Sequence, residues 1–405
     1  MERNQADTFH RIVFFNEHDN SNDWEFLELA NIGALHRLWY EEGDAKRQLL
    51  RLPRKVLPRV FARPHTSEFA ARRLRAKLAD LRPDLINVHN LHAAAPWGWG
   101  PHLVQVCLEF APVIWTLHDM WAFTGRCAYA YDCEKFITGC DASCPTPHEA
   151  PKLAPEKIRA AWEERRSIYA RHRDKLVIVT PSRWLAEQAR RGLFAGHRVE
   201  VIPYGVCNRG TPFSMSARDD ARRQLSLSAP GPVLLLAAFD LAERRKGAEI
   251  LPRLWQQIAH RPLTLLTMGR GEIKVDDQRV GVHSLGYIED HATKNLAYAA
   301  ADVLLHPAPV DNFPNTILEA LVCGTPTVAL PVGGVPEIVR PGVSGWLADA
   351  VTPEALARAV DRALRDLSLG MNLRESCRTL AEEEYSLELQ GRRYAALFEE
   401  MRSAR

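Results

Sequence analysis

Short apolar runs rich in Val, Ile and Leu recur along this chain, each followed by a polar turn and a stretch with apolar residues at helical spacing. RIVFF at 11–15, DLINVH at 84–89, VIWTLHD at 113–119, LVIVTPS at 176–182 and VEVIPYGV at 199–206 read as strands of a first half. PVLLLAAFD at 232–240, PLTLLTMGRG at 262–271, VGVHSLGYIED at 280–290, ADVLLHP at 301–307 and TPTVALP at 325–331 read as strands of a second. Helices are expected between them, at 30–43, 155–175 and 183–192 among others, with KRQLLRL at 46–52 as one further strand. Strand–helix alternation of this kind is the parallel α/β pattern. A polar stretch at 208–232, rich in Ser, Gly and Pro, separates the halves. The division predicted is a first domain over 1–206, a second over 207–385 and an amphipathic helix over 386–405.

The densest chemistry lies between His306 and Glu337, HPAPVDNFPNTILEALVCGTPTVALPVGGVPE. A strand ends at His306, and a loop carries Asp311, Asn312 and Phe313. Pro314 suits the first turn of a helix through Asn315 to Cys323, and Gly324 suits its stop. A second strand feeds a Gly333-Gly334 turn, after which Pro336 opens another helix. Loops at the carboxyl ends of strands are where open α/β sheets bind ligands. Asp311 and Glu319 can both aim acceptor oxygens at hydroxyl groups there. The glycine turn lets backbone N–H groups approach a phosphate.

An acidic residue, seven intervening residues, a Glu and then Gly-Gly-x-Pro-Glu is the pattern of Asp311, Glu319 and Gly333 to Glu337. With it, the chain resembles the retaining glycosyltransferases of family 4. The resemblance implies the GT-B fold, two Rossmann-like doubly wound parallel-sheet domains facing a central cleft. It also implies transfer of a sugar from a nucleoside-diphosphate sugar to a glycan or lipid-linked acceptor hydroxyl, as in exopolysaccharide or lipopolysaccharide assembly. The family's first acid is more often Glu, so Asp311 is one methylene short. By the resemblance, Glu319 holds the nucleotide ribose, Asp311 and Asn312 hold sugar hydroxyls, and His118 in TLHDMW faces the reacting sugar. Phe313, Pro314, Asn315, Gly333, Gly334 and Glu337 complete the donor signature, and Gly286-Tyr287 frames the base.

Arg244, Arg245 and Lys246 follow a strand where a diphosphate needs cations. The family places an Arg five residues before the Lys; that position is Leu241 here, so Arg244 or Arg245 would have to substitute. The family's glycine-rich loop after strand one is also lacking, with Gly33 the nearest candidate. No D-x-D sequence occurs, so metal-independent chemistry without a required cofactor is expected. In the mechanism usual for the family, the leaving phosphate itself deprotonates the acceptor.

Composition adds bounds. At 405 residues and a net charge of +2, with ordinary apolar and charged fractions, the chain suits a soluble protein of two or three domains. Its N-terminus lacks the apolar core of a signal peptide, and its apolar runs are too short to span a bilayer, so a cytoplasmic location is expected. Residues 46–77 are densely basic, which reads either as a solvated face or as a contact for an anionic membrane surface. No motif for nucleic acid accompanies the charge.

Cys127, Cys133, Cys140 and Cys144 fall in one loop with five, six and three residues between them. They read either as buried reduced thiols or as a structural zinc site, since four thiolates leave no open position for catalysis. The alternative reading of the whole is a non-catalytic GT-B protein that binds a nucleotide sugar or partners an active subunit. Donor turnover separates the two.

Overall fold

The computed structural model describes residues 12–15, 66–89, 91, 100–207, 217–227, 231–259 and 262–403. The helix expected at 30–43, the strand at 46–52, Gly33 and the basic residues from 46 to 65 lie outside the described residues. Two compact units emerge: the described residues within Met1–Thr180 with Leu185–Val201 and those from Ala395, and separately Pro181–Trp184 with Ile202–Tyr394.

Among the described residues, the first unit carries a sheet of five parallel strands in sequential order: β1 (Ile12–Phe15), β2 (Leu85–Val88), β3 (Val113–Thr116), β4 (Leu176–Thr180) and β5 (Arg198–Val201). β2, β3 and β4 are buried along their whole length, which explains why they read as continuous apolar runs. Behind the sheet, Tyr169 stacks on Phe194 at 4.7 Å, and Trp115 meets both rings edge-on. The Tyr169 hydroxyl donates to the Ala122 carbonyl at 2.7 Å, so this buried aromatic core leaves no stranded phenol. Arg198 donates to both carboxylate oxygens of Glu400, near the end of the last helix (Leu387–Ser403), at 2.6 and 2.7 Å.

The second unit holds six parallel strands: β6 (Val233–Asp240), β7 (Leu263–Arg270), β8 (Val280–Ser284), β9 (Val303–His306), β10 (Thr327–Ala329) and β11 (Gly345–Leu347). Their order is β11-β10-β9-β6-β7-β8. The chain therefore builds outward from β6 in one direction and returns to its other side at β9. That reversal is a topological switch point, and it opens a crevice at the carboxyl ends of β6 and β9. Val233 to Leu236 and Val303 to Leu305 are almost wholly buried at the centre of this core.

Candidate functional site

The turn after β6 is a short 3-10 segment, Arg244–Lys246, closed by Gly247 in the left-handed region at φ +92°. A side chain on Gly247 would place Cβ 2.5 Å from the Pro307 carbonyl oxygen, so glycine lets this turn lie flat against the end of β9. The Lys246 ammonium thereby reaches the Asp311 carboxylate, donating at 2.7 Å. Arg245 stands 4.0 Å from the same oxygen and is braced by Glu243, whereas Arg244 turns to Glu249. Of the two arginines left open by the sequence, the structure brings Arg245 to Asp311.

Asp311 is 4 % exposed, and its second oxygen accepts from the Asn312 backbone N–H. Burial works to raise its carboxyl pKa, but Lys246, His306 and Arg245 outweigh it and hold the pKa at about 2. His306, also buried, lies 3.6 Å from Asp311 through Nε2, an atom without a hydrogen-bond partner among the described residues. Burial, helped by Lys246 and Arg245, pushes the imidazole down to about 4 against the pull of Asp311. His306 is therefore neutral at pH 7, and the two cations are what keep Asp311 ionised.

The sign of the resulting pH dependence follows. Between about 4 and the ordinary histidine value of 6.5, the unfolded chain binds a proton at His306 that the folded chain refuses. Stability therefore rises with pH across that window and is level above it. The loss on acidification is on the order of 3 kcal/mol. Urea midpoints measured from pH 4 to 8 should show a slope of this sign, and His306→Gln should reduce it, the remainder coming from other buried histidines such as His89, which burial pushes down to about 3.

Around Asp311 the backbone is close-packed. A Cβ on Gly333, at φ +53°, would sit 1.8 Å from the Asp311 carbonyl oxygen, and one on Gly334 would sit 2.2 Å from that of Asn312. The glycine pair is thus required by contact with the 311–312 loop, a reason independent of any phosphate. Asn312 is buried and accepts from Ser182 Oγ at 2.5 Å. Phe313 is a core residue, edge-on to Tyr204 and Tyr385. Pro314 caps the helix Asn315–Val322, and Asn315 is exposed at its start. Glu319, on that helix, accepts from the buried Tyr298 hydroxyl at 2.6 Å. The Glu337 carboxylate accepts from the backbone N–H groups of Arg183 and Trp184 at 3.0 and 2.9 Å. It caps the helix Arg183–Arg191, a use that its motif position gives no sign of.

Farther along the same strand ends, Arg270 lies over the rings of Phe239 and Tyr287 at 4.4 and 4.8 Å. Gly286 beside them, at φ +68°, faces open space. The sequence pointed to Gly286 and Tyr287 but not to Phe239 or Arg270, which join them only once β6 and β7 pair. In the first unit, His118 lies just past β3, with Nε2 3.1 Å from His89 Nδ1.

The cysteine loop does not meet the zinc expectation. Among the described residues, no group of three or more His, Cys, Asp or Glu side chains is placed to hold a metal ion. Cys127 and Cys140 are buried, and burial raises their thiols to about 11 and about 12. Cys144 pairs instead with Thr146 at 3.4 Å and takes a contact from Arg126 at 3.8 Å. The buried Arg126 guanidinium also donates to the carbonyls of Thr146 and Glu149, so it ties the loop together. The basic tract too is less bare than its sequence: Arg75 forms a two-bond pair with Glu109. Among the described residues, no helix is long and apolar enough to cross a membrane.

Comparison with known proteins agrees with the geometry. Residues 34–207 match the model of Glycosyltransferase Family 4, and residues 231–366 match that of Glycosyl transferases group 1. WcaC of Escherichia coli K12, assigned by name to colanic acid biosynthesis as a glycosyl transferase, is 27% identical over 64% of this chain and 62% of its own. A D-inositol 3-phosphate glycosyltransferase of Actinosynnema mirum is 33% identical over 44% of this chain and 49% of its own. The chain thus spans about half to three-fifths of these curated relatives. In fold, a sucrose-phosphate synthase from Thermosynechococcus elongatus superposes with a TM-score of 0.63 at 21% identity, covering 86% of this chain and 81% of its own. HepE of Anabaena, solved with UDP and with UDP-glucose, gives 0.57 and 0.56 at 18% identity, covering 82% of each chain. Two parallel α/β units, the matches on both halves and the acid–Glu–glycine pattern converge, and the chain belongs to the family 4, group 1 glycosyltransferases with the GT-B fold.

Proposed function

We propose that this protein transfers a sugar from a nucleoside-diphosphate sugar to an acceptor hydroxyl with retention of configuration, in polysaccharide assembly. The observation that carries this reading is the Lys246–Asp311 pair at the switch point between β6 and β9, with Arg245 beside it. A diphosphate leaving group gathers negative charge as the sugar departs, and fixed cations lower that barrier. Lys246 and Arg245 are two such cations, already held in place by a buried carboxylate. In the reaction, the bond from the anomeric carbon to phosphate oxygen breaks and the bond to acceptor oxygen forms on the same face. The acceptor proton passes to the departing phosphate, so no enzymic base is required.

Asp311 and Asn312 hold sugar hydroxyls, and Glu319, oriented by Tyr298, holds the ribose. Tyr287 and Phe239, set edge to face, with Arg270 over both rings, offer an aromatic and cationic surface for the base. On this reading the first unit binds the acceptor, and the density of basic residues from 46 to 77 supports a contact with an anionic membrane surface. HepE was solved with UDP and UDP-glucose, which favours a uridine donor here.

A thermal-shift panel of UDP, GDP, ADP and TDP tests the donor class. A ligand present at about 100 times its Kd adds roughly 2.7 kcal/mol to the native state. UDP should raise the melting temperature above the other three. A shift with a different nucleotide would reassign the base; no shift with any would favour a non-catalytic subunit that partners an active one.

A further inference from the structure

Three side chains converge on one oxygen. Asp311 Oδ2 accepts from Lys246 Nζ at 2.7 Å, while His306 Nε2 and Arg245 Nη1 stand 3.6 and 4.0 Å from it. Lys246 therefore sits on the very carboxylate it must leave in order to meet a diphosphate. His306 Nε2, buried and without a hydrogen-bond partner among the described residues, is the group placed next to that carboxylate. The charges that act on it are Asp311 from its own loop and Lys246 and Arg245 from the turn after β6. From the neighbouring strand, β10 sets only the apolar Ala329 in register with it.

The balance of charge gives a direction. Lys246 is matched by Asp311 and Arg245 by Glu243, so the cluster is near neutral with His306 uncharged. A nucleoside-diphosphate sugar brings two negative charges against it. Asp311 and His306 are almost wholly enclosed, and uncompensated charge is costly in such surroundings. A proton on His306 offsets one of those charges. The imidazolium carries a proton on each ring nitrogen, so Nε2 donates whichever tautomer the neutral ring held.

We propose that His306 is a positioning residue that takes up a proton when the donor diphosphate binds and replaces Lys246 as the partner of Asp311. This rests on the reading of Lys246 as the diphosphate cation. Asp311 thereby keeps a cationic partner, and its aim at the sugar hydroxyls, while Lys246 turns to phosphate. Burial, with Lys246 and Arg245, holds the imidazole at about 4 against the pull of Asp311. A phosphate that engages both cations relieves their share of that depression and adds an anion of its own. Donor affinity should therefore rise as pH falls toward 4.

Calorimetric titration with UDP-glucose at pH 6.5, in buffers of different ionisation enthalpy, counts the protons taken up on binding. Both phosphates of UDP-glucose are diesterified or bridged and do not titrate near neutral pH, so the count belongs to the protein. The expected uptake is about half a proton or more per UDP-glucose, with affinity about tenfold tighter at pH 5.5 than at pH 7.5. His306→Gln keeps an N–H donor near the position of Nε2 but cannot ionise. It should bind UDP-glucose with an uptake near zero and an affinity nearly level across that range. A merely structural histidine would leave the proton count unmoved. His306→Asn repeats the test should the glutamine variant not fold. Zero uptake or net release by the wild type, or equal uptake by wild type and variant, overturns the inference and leaves the donor site standing. No binding of UDP-glucose by the folded wild type removes the uridine-donor reading and the inference with it.

Discussion

With Lys246 in the role proposed for it, a preorganised cation at the leaving diphosphate, Lys246→Ala should lower sugar transfer by about 10²–10³-fold. It also exposes what the pair does for folding. Asp311 loses its 2.7 Å partner while remaining buried, and a stranded buried carboxylate costs roughly 3–5 kcal/mol. The two effects separate in the double variant Lys246→Ala with Asp311→Asn. Removing the carboxylate charge should restore much of the stability, as read by urea midpoints, and none of the turnover. Lys246→Arg should fold well and keep part of the activity, since charge survives but the reach changes. Full turnover by Lys246→Ala would mean that the switch-point cluster is purely structural.

Gly333→Ala carries the second large effect, and it acts through backbone contact. A Cβ at that position would sit 1.8 Å from the Asp311 carbonyl oxygen, and the residue's φ of +53° is strained for any other side chain. Strain and overpacking together should cost roughly 2–5 kcal/mol. Because the atom struck belongs to the 311–312 loop, nucleotide affinity should fall along with the melting temperature. Gly342→Ala is the matched control. Its φ is +77°, but nothing lies within 4 Å of the added Cβ. It should show only the strain, roughly 1–2 kcal/mol, with nucleotide affinity intact.

The contrast between these two glycines shows what the sequence can carry. The turn at Gly333 was legible from its pattern, as were the helix from Asn315, its stop at Gly324 (φ +69°) and the proline-led turn of helix at 335–338. Those features are local: a cap, a missing Cβ, a fixed φ. The reason for Gly333 was not legible, because its neighbour Asp311 becomes a steric constraint only after β9 and β10 pair. Distance along the chain hid other partners in the same way. Ser182 and Asn312 meet across 130 positions, Glu337 caps a helix that begins 154 residues earlier, and His89 reaches His118 across 29. His306 was visible as the last residue of a strand, yet its buried, unpartnered nitrogen beside Asp311 required the structure.

The cysteine loop shows the converse. Four cysteines within one short stretch suggested a metal, but that spacing says nothing of where each side chain points. Arg126, with no motif around it, ties the segment together by reaching three partners on the far side of the loop. The family's usual arginine position is likewise filled by Leu241, and it is packing that brings Arg245 toward Asp311 from four residues on.

The central claim is that the β6–β9 switch point receives the donor diphosphate. A crystal structure with UDP bound tests it most directly. The distal phosphate should lie within hydrogen-bond reach of Lys246 Nζ, with Arg245 alongside and the base against Tyr287. A nucleotide seated elsewhere, with Lys246 still closed on Asp311 and no phosphate near it, would contradict the account.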